Sequence, residues 1–443
     1  MDERIRDVFA TVLGVPREIV IPEATPATIA GWDSLAHLSL VSEFERVFGV
    51  SLTMDEVLAI QCVGDFESHA GDAVPPVPEP GADGSGVDRM LPSDRDALFA
   101  FASRVATEIT LVHSPEHWKW QYLANPNVEP RNPPVYLFRH EGHIAGHLGT
   151  IPVQLEAGGR TLSASWSAGL VSAPEVRSRG AGVRLIERWT RDCDVSLVLG
   201  TTPDAEGLFT ELGWLRPAGG HVRSFMRLLD TDAVVRKHAK NPLARKALRF
   251  VANAALSLIM RAPSVRGGDL AVSVFDRFDS RFDTFWERVR AGYPIIVRRD
   301  RRYLQWKFAS QPGVEYIRLV AERTSPAGDA ERVIAGYAVL RVMKRKPYVA
   351  YLVDLLAGAD DDEAWLALIG ASLDVLMARG VQQVWCVVLS PVVEVHLRKM
   401  GFILRDSPMT FFVHPNRPDL DPGFFAEGSN WFVTKGDADQ DRP

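Results

Sequence analysis

An internal repeat constrains the fold of this 443-residue chain more than any other feature of its sequence. Three short motifs each occur twice, in the same order and about 188 residues apart: WQYLANP (120–126) and WKFASQP (306–312), IAG (144–146 and 334–336), and LGW and MGF (212–214 and 400–402). This spacing is the length of a whole domain, since single domains contain about 100–200 residues. We therefore expect two copies of one fold within residues 93–436.

The two copies share one order of predicted elements. Each begins with helices up to the Trp…Pro motif and continues with a hairpin and with a strand that leads into a helix. A short apolar strand, a further helix ending at Gly213 or Gly401, and terminal strands complete each copy. Strands and helices mixed in this way predict an α/β (α+β) fold with a mixed central sheet flanked by helices.

Residues 1–74 form a separate, acidic region. They contain 13 Asp or Glu and 4 Lys or Arg residues, a net charge of −9, whereas the whole chain has −6 and the remainder +3. Apolar residues at helical spacing predict four helices, and the second begins near Ser34 in GWDSLAH (31–37), where Asp33 or Ser34 can cap it. The charge difference favours docking of this region on the body over binding of nucleic acid.

Two segments connect these regions. Residues 75–92 are rich in Pro, Gly and small polar residues, which predicts a flexible linker with a mean reach of about 20–25 Å. Residues 231–275 form a predicted helical bridge that contains a basic amphipathic stretch at 236–261. Three interpretations of that stretch remain open: a strap between the copies, a docking face for the acidic region, or a membrane-surface helix.

The N-terminal region resembles the acyl carrier protein family. The resemblance rests on Asp33-Ser34-Leu35 at the start of the second helix, on Glu43 and Glu45 behind it, and on the order of the four helices. It implies an all-α carrier domain over residues 1–74. In that family the serine carries a covalent 4'-phosphopantetheine arm, so we expect a phosphopantetheinyl transferase to modify Ser34.

In the first copy, the junction between a strand and a helix reads RSRGAGV. Small residues there let backbone N–H groups approach an anion at the helix N-terminus. With the elements around it, this junction resembles the GNAT superfamily of acyltransferases, whose matching loop binds the pyrophosphate of coenzyme A. The resemblance implies a GNAT domain over 93–230 that binds the pantetheine phosphate, or acyl-CoA or CoA, through Arg177, Ser178, Arg179, Gly180, Ala181, Gly182 and Val183. It also implies a degenerate GNAT domain over 276–436, since carboxylates at 360–363 would repel a phosphate there.

The catalytic groups are harder to place from the sequence. Many GNAT enzymes use as acid a tyrosine four residues before the glycine of the GF motif, and this chain has Phe209 and Leu397 at those positions. Three candidates remain for acid or base, each of which also fits a structural role: Asp204, His147 and Asp354. The run HEGHIAGH (140–147) lacks the HExxH order of a zinc site, so we expect a hairpin turn there and no metal.

Three hypotheses follow for the function. In the first, the chain is a GNAT-type N-acyltransferase that moves an acyl group from the Ser34 arm to an amine of a small metabolite, in specialised (natural product) biosynthesis. In the second, it loads an acyl group from acyl-CoA onto its own carrier domain. In the third, the carrier is joined to a non-catalytic scaffold that binds partners.

Composition adds expectations about partners and location. Acyl-loading or biosynthetic enzymes are the expected partners, with neither nucleic acid nor a membrane among them. Three cysteines show no disulfide pattern, and the longest apolar stretch is too short to cross a bilayer. We therefore expect a cytoplasmic protein.

Overall fold

The computed structural model describes residues 2–48, 52, 54–69, 86–105, 115–128, 133–177, 179–217, 221–232, 235, 241–259, 269–324 and 332–441. These residues form an N-terminal group of helices and a body built around one large mixed sheet. The predicted all-α domain followed by an α/β body is therefore confirmed.

Four helices make up the N-terminal domain: α1 (Glu3–Leu13), α2 (Ser34–Phe48), α3 (Met54–Ala59) and α4 (Asp65–His69). The Asp33 carboxylate accepts a hydrogen bond from Ala36 N at 2.9 Å, so Asp33 caps the start of α2. Phe9, Phe44 and Phe66 pack edge to face in the buried core of this domain. The apolar spacing in the sequence thus marks the residues that hold the four helices together.

The body contains fourteen strands among the described residues. They are β1 (Gly86–Arg89), β2 (Val135–His140), β3 (His143–Ala157), β4 (Arg160–Ser172), β5 (Val195–Leu199), β6 (His221–Leu228), β7 (Ala271–Val274), β8 (Ile295–Val297), β9 (Ile317–Thr324), β10 (Arg332–Met343), β11 (Lys346–Ala357), β12 (Gln383–Leu389), β13 (Ile403–Pro415) and β14 (Trp431–Thr434). The helices described there are α5 (Arg95–Val105), α6 (Pro115–Tyr122), α7 (Pro174–Arg177), α8 (Ala181–Thr190), α9 (Pro203–Glu211), α10 (Pro242–Ile259), α11 (Arg281–Val289), α12 (Arg301–Ala309), α13 (Asp362–Ala378), α14 (Pro391–Lys399) and α15 (Pro422–Ala426).

The strand order is β1-β2-β3-β4-β5-β13-β6-β12-β11-β10-β9-β7, and β8 and β14 make a second connection from β3 to β12. Most neighbours are antiparallel, whereas β4–β5, β11–β12 and β8–β14 are parallel. We call residues 86–228 the first half of the body and residues 269–441 the second half. Each half contains one parallel strand pair whose two strands are joined through a helix, which is α8 between β4 and β5 in the first half and α13 between β11 and β12 in the second.

The two halves exchange strands at the centre of the sheet. Strand β6 of the first half pairs with β12 of the second, and β13 of the second half pairs with β5 of the first. The sequence places a boundary between residues 230 and 276, but the hydrogen bonds join both sides of it in one sheet. Each half would leave unpaired strand edges at this position if the other were removed.

Two local features bear on the sequence predictions. The predicted linker extends to residue 92, whereas β1 already begins at Gly86. This strand pairs with β2 at the edge of the sheet, where Val87 lies opposite Phe138. The turn between β2 and β3 consists of Glu141 and Gly142, with φ of 51° and 75°, as a tight hairpin requires. The predicted hairpin in this histidine-rich run is confirmed.

The basic bridge contains α10, which is exposed along much of its length. Its side chains Leu243, Phe250 and Val251 are 80%, 77% and 63% exposed. Arg249 Nε donates to Asp230 Oδ1 at 3.0 Å, so the helix is tied to the end of β6. Among the described residues no helix is both long and apolar enough to cross a membrane.

Candidate functional site

Helix α2 of the N-terminal domain contacts α8 of the body. At this contact the Ser39 hydroxyl donates a hydrogen bond to the Glu187 carboxylate. Ser34 is the first residue of α2, and its side chain lies outside the described residues. At a rise of 1.5 Å per residue, the contact is about 8 Å from the start of α2 and about 9 Å from the start of α8. The helix that begins at the predicted attachment residue therefore lies against the helix that follows the glycine loop.

The glycine loop leads into α8 through a left-handed residue. Gly180 is the N-cap of α8 with φ of 68°, a conformation that glycine adopts without strain. The first intrahelical hydrogen bond runs from Arg184 N to Gly180 O. The N–H groups of Ala181, Gly182 and Val183 consequently have no carbonyl within the helix to bind. N–H groups that lack helical partners and the helix dipole make this helix end able to bind a phosphate.

The basic residues of the loop lie at the surface. Arg177 and Arg179 are exposed, and Arg177 Nε donates to Ser172 O at 3.4 Å. Ser178 lies outside the described residues. A Cβ atom at Gly182 would meet Leu208 Cδ2 at 3.5 Å, which is an ordinary contact. The predicted cradle residues are thus consecutive around one helix end, with two guanidinium groups available to an anion.

A gap opens between β4 and β5 next to this helix end. The parallel pairing runs from Ala164↔Val195 to Trp166↔Leu197 and ends there, although both strands continue. We call the space beyond this pairing the first gap. Two main-chain carbonyls at its edges accept hydrogen bonds from side chains: Ala168 O from Tyr122 Oη at 3.4 Å, and Leu199 O from Gln440 Nε2 at 2.8 Å.

Two of the three predicted acid–base candidates belong to the first half. His147 is buried on β3, and its Nδ1 lies 2.9 Å from Gly169 O beside the first gap. Burial lowers the pKa of His147 to about 4, so its ring is neutral near pH 7. Asp204 is exposed in the first turn of α9, which Thr202 caps. The acid position of the GNAT pattern holds Phe209, a buried ring 4.8 Å from Trp214.

The third candidate, Asp354, lies in a buried charge cluster of the second half. Arg299 donates to both Asp354 and Asp437, with Nη2 at 3.2 Å and 2.9 Å from their oxygens. Tyr337 Oη and Thr434 Oγ1 also donate to Asp354, at 2.6 Å and 2.8 Å. All five side chains are 1% exposed or less. The oxygens of Asp354 are therefore engaged within the protein, which favours a role in holding the fold together.

The second half has a gap like the first, and the chain itself fills it. Pairing of β11 with β12 ends at Leu352↔Cys386. Beyond this pair, Lys435 N donates to Val387 O and Gly436 N donates to Val353 O, both at 3.0 Å. We call residues 435–441 the C-terminal segment and the space that it occupies the second gap.

The helix end of the second half is also occupied. The Asp361 carboxylate caps α13 by accepting from Ala364 N at 3.1 Å, and it accepts from Arg323 Nη2 at 2.9 Å. Asp362 accepts from Lys399 Nζ at 2.7 Å. Carboxylates thus stand where the first half presents unpaired N–H groups.

The C-terminal segment and its contacts were missed by the sequence reading, which ended the second domain at residue 436. Lys307 Nζ donates to Ala438 O at 2.8 Å, and Gln311 Nε2 donates to Asp441 O at 2.9 Å. Both donors belong to WKFASQP, whose first copy has Gln121 and Asn125 at those places. This exchange of lysine for glutamine between the repeats is the sequence signal that could have indicated a difference between the two gaps.

Comparison with known proteins separates the chain into two parts. Residues 3–70 match the family model described as a phosphopantetheine attachment site. An acyl carrier protein of Syntrophobacter fumaroxidans is 37% identical over 66 residues, which are 15% of this chain and 82% of that protein. An acyl carrier protein of Azobacteroides pseudotrichonymphae is 36% identical over 78 residues, 16% of this chain and 92% of that protein.

Solved structures resemble the body. One from Enterococcus faecalis, described as a probable N-acyltransferase, has a TM-score of 0.51 at 10% identity and covers 74% of this chain and 71% of its own. A GCN5-related N-acetyltransferase from Anabaena variabilis has a TM-score of 0.50 at 12% identity, covering 75% and 73%. At such identities the likeness shows the fold alone.

Together, the fold and these matches define a carrier domain joined to a body of the GNAT fold. Through its N-terminal domain the chain belongs to the acyl carrier protein family. A covalent phosphopantetheine arm follows from that membership.

Proposed function

We propose that this protein is an N-acyltransferase that moves an acyl group from the arm on Ser34 of its own carrier domain to an amine of a small metabolite. The contact between α2 and α8, made by Ser39 and Glu187, is the observation that carries this proposal. This contact lies about 8 Å along the arm-bearing helix and about 9 Å along the helix whose first N–H groups, which lack helical partners, would bind the arm's phosphate. Covalent attachment also raises the effective concentration of the donor at this site.

The transfer itself balances without a further reactant. The amine nitrogen attacks the thioester carbonyl carbon, the C–N bond forms and the C–S bond breaks. The amine loses a proton and the departing arm thiolate gains one. The phosphate cradle is composed of the seven residues Arg177 to Val183, and the first gap receives the chain of the arm. His147, Asp204 and Asp354 stay predictions as acid or base, and His147 is the candidate beside the first gap.

We also propose that the body arose by duplication of one GNAT unit, divided in sequence at about 93–230 and 276–436. Trp120 and Trp306 of the repeated motif stack with ring centroids 4.9 Å apart. Each indole donates to the main-chain carbonyl of the other residue, at 2.8 Å in both cases. Reciprocal contacts between repeated residues are what a two-fold arrangement of two copies produces. In this proposal the second copy has lost donor binding, since carboxylates and the C-terminal segment occupy its site.

Intact-protein mass spectrometry tests the transfer. The protein is coexpressed with a phosphopantetheinyl transferase, its arm is charged by a separate ligase, and a panel of amines is added. We expect amines to remove the acyl mass from the arm, and both Ser34→Ala and Gly182→Glu to show no transfer. An arm that stays charged with every amine, or full transfer by Gly182→Glu, would contradict the proposal.

A second candidate function is loading of the carrier from acyl-CoA. The intact glycine loop favours it, because a pyrophosphate needs several N–H donors more than a single phosphodiester does. In this case the holo protein gains acyl mass from acyl-CoA alone, and Gly182→Glu does not. A protein that does neither reaction while keeping its arm would be a carrier on a non-catalytic scaffold.

The setting of the reaction is also part of the proposal. A phosphopantetheinyl transferase, acyl-loading enzymes and other biosynthetic enzymes are the proposed partners, in specialised metabolism in the cytoplasm. The acidic carrier and the slightly basic remainder of the chain support mutual docking of the two.

A further inference from the structure

The C-terminal segment lies in the second gap in the manner of a bound ligand. Its main-chain N–H groups at Lys435 and Gly436 bind the carbonyls on both sides of the gap. Its own carbonyl at Ala438 accepts from Lys307 Nζ at 2.8 Å. A Cβ atom at Gly436 would lie 2.8 Å from Phe308 Cζ, so the backbone passes close against α12. An extended chain with amide groups therefore fits between two diverging parallel strands of this fold.

The same positions can be identified in the first gap by strand register. The pair Ala164↔Val195 begins the parallel pairing of the first half, as Val349↔Gln383 does in the second. Counting along the strands, Ala168 corresponds to Val353, and Leu199 corresponds to Val387. The two carbonyls that bind the C-terminal segment thus have counterparts at the edges of the first gap, where Ala168 O accepts from Tyr122 Oη and Leu199 O accepts from the Gln440 side chain of the same segment.

The repeated tryptophan motif relates the helices beside the two gaps. Trp120 and Trp306 bind each other reciprocally, so α6 and α12 occupy matching places. The next residue after each tryptophan is Gln121 in the first half and Lys307 in the second. One residue further, Tyr122 reaches Ala168 O at the first gap, while Phe308 contacts the segment in the second.

Gln121 is buried with an unused donor. Its side chain is 2% exposed, and Nε2 has no hydrogen-bond partner among the described residues. Buried polar groups in native proteins are nearly always paired, so a bound ligand that offers an acceptor at this place would satisfy the amide. Lys307, its counterpart, uses the donor at this place to bind a main-chain carbonyl.

We propose that Gln121 donates a hydrogen bond to an amide carbonyl of the pantetheine chain in the first gap. Gln121 is then a binding residue for the donor, and the C-terminal segment shows how a chain with amides lies in such a gap. The inference rests on the proposed function, since that function brings a pantetheine chain to the first gap. The arm on Ser34 and a coenzyme A molecule both contain this chain, and the experiment below separates the two.

The test uses Gln121→Met in the full chain, with two readouts. Binding of CoA is measured by calorimetry in a Ser34→Ala background, which has no arm. Discharge of a charged arm to an amine is measured in the holo protein. Loss of one neutral hydrogen bond weakens binding by about 3- to 10-fold, so we expect this drop in CoA affinity, in the rate of arm discharge, or in both. A drop confined to CoA affinity identifies coenzyme A as the source of the pantetheine chain. A drop confined to arm discharge identifies the arm on Ser34.

The melting temperature of the ligand-free protein tests independently whether the Gln121 amide lacks a partner before the ligand binds. Replacing an unpaired buried amide by methionine should raise Tm by about 2 °C. Gln311→Met is the matched control, because Gln311 is buried in the second half and donates to Asp441 O. It should lower Tm and leave CoA affinity unchanged.

Two results would overturn the inference while the proposed function stands. One is a Gln121→Met protein with unchanged CoA affinity and unchanged arm discharge, while Gly182→Glu abolishes both. The other is a fall in Tm like that of Gln311→Met, which would mean that the Gln121 amide is already engaged in the ligand-free protein. A wild-type chain that neither binds CoA nor discharges its arm would overturn the proposed function and this inference together.

Discussion

The two halves of the body differ at the helix that joins the two parallel strands, which are β4 and β5 in the first half and β11 and β12 in the second. In the first half, Gly180 in a left-handed conformation starts α8 and leaves three N–H groups without helical partners. In the second half, Asp361 caps α13 and pairs with Arg323. The same backbone arrangement therefore has different properties in the two halves. Glycines leave the positive end of the helix dipole available to an anion, whereas carboxylates already occupy it.

The gaps beside these helices also differ in which groups of the protein occupy them. The second gap holds the C-terminal segment and a buried cluster of Arg299, Asp354 and Asp437. Where that half has Asp354, the first half has Gly169 in strand register, a residue with no side chain. The two halves thus keep the same surrounding strands and helix, while the protein's own groups fill the gap of the second half.

The largest expected effect concerns the filled gap. Asp354→Asn should lower the free energy of unfolding by about 3–5 kcal/mol, because it leaves the buried Arg299 guanidinium short of a counter-charge. Asp362→Asn is the control, since Asp362 is largely exposed and its ion pairs, which solvent screens, should contribute little to stability. Urea unfolding measures both. Normal stability of Asp354→Asn with loss of turnover would instead establish Asp354 as a catalytic group.

The second effect concerns the open helix end. Gly182→Glu places a carboxylate at the second position of α8, where α13 already has Glu363. Repulsion of the donor phosphate should reduce turnover by at least about 100-fold. Glu363→Gln should leave turnover unchanged, because in the proposed function the second half binds no donor. Equal losses in the two variants, measured by arm discharge, would remove the distinction between the halves.

The third effect is a pH dependence that belongs to the first half. The pKa of His147 is about 4 in the folded protein against 6.5 for the ordinary side chain. Because the unfolded chain takes up the proton first, stability is lost as pH falls from about 6.5 towards 4. Between pH 7 and pH 5 this amounts to about 2 kcal/mol.

His147→Gln should remove this part of the pH dependence while keeping a donor for Gly169 O. The exposed His221 offers a control, and His221→Gln should leave the profile unchanged. Urea unfolding at several pH values measures the difference. A His147→Gln profile that runs parallel to that of the wild type would show that His147 is not held neutral in the fold.

The smallest effect concerns docking of the carrier on the first half. Glu187→Ala removes the acceptor for the Ser39 hydroxyl. We expect turnover from the arm to fall by about 2- to 5-fold, with CoA binding unchanged, since one partly buried hydrogen bond is lost. Glu206→Ala, which removes an exposed carboxylate paired with Arg216 in the same half, is the control. Arm turnover that is equal in both variants would argue against this docking contact.

Local structure was predictable from the sequence where neighbouring residues decide it. Asp33 caps α2 through Ala36 N, and Glu141-Gly142 turns the β2–β3 hairpin, both within a few residues of chain. The exchange of β6 and β13 was not predictable, because the partner of a strand depends on distant segments and not on its own alternation. The same distinction holds for the candidate site. The local motif RSRGAGV predicted the glycine loop, whereas no local motif predicted a binding role for Gln121.

By itself, the sequence determined the chemistry available to this protein: a serine at the start of a carrier helix, a glycine-rich helix end in the first repeat, and carboxylates in its place in the second. The tertiary structure alone decided which gap is filled, since Lys435, Gly436 and Ala438 directly follow β14, whose pairing with β12 places them at the second gap. It also decided that α2 lies against α8. Hydrogen bonds between residues close in the chain can be read from a local pattern, whereas contacts that join residues more than a hundred positions apart exist only once the whole sheet has formed.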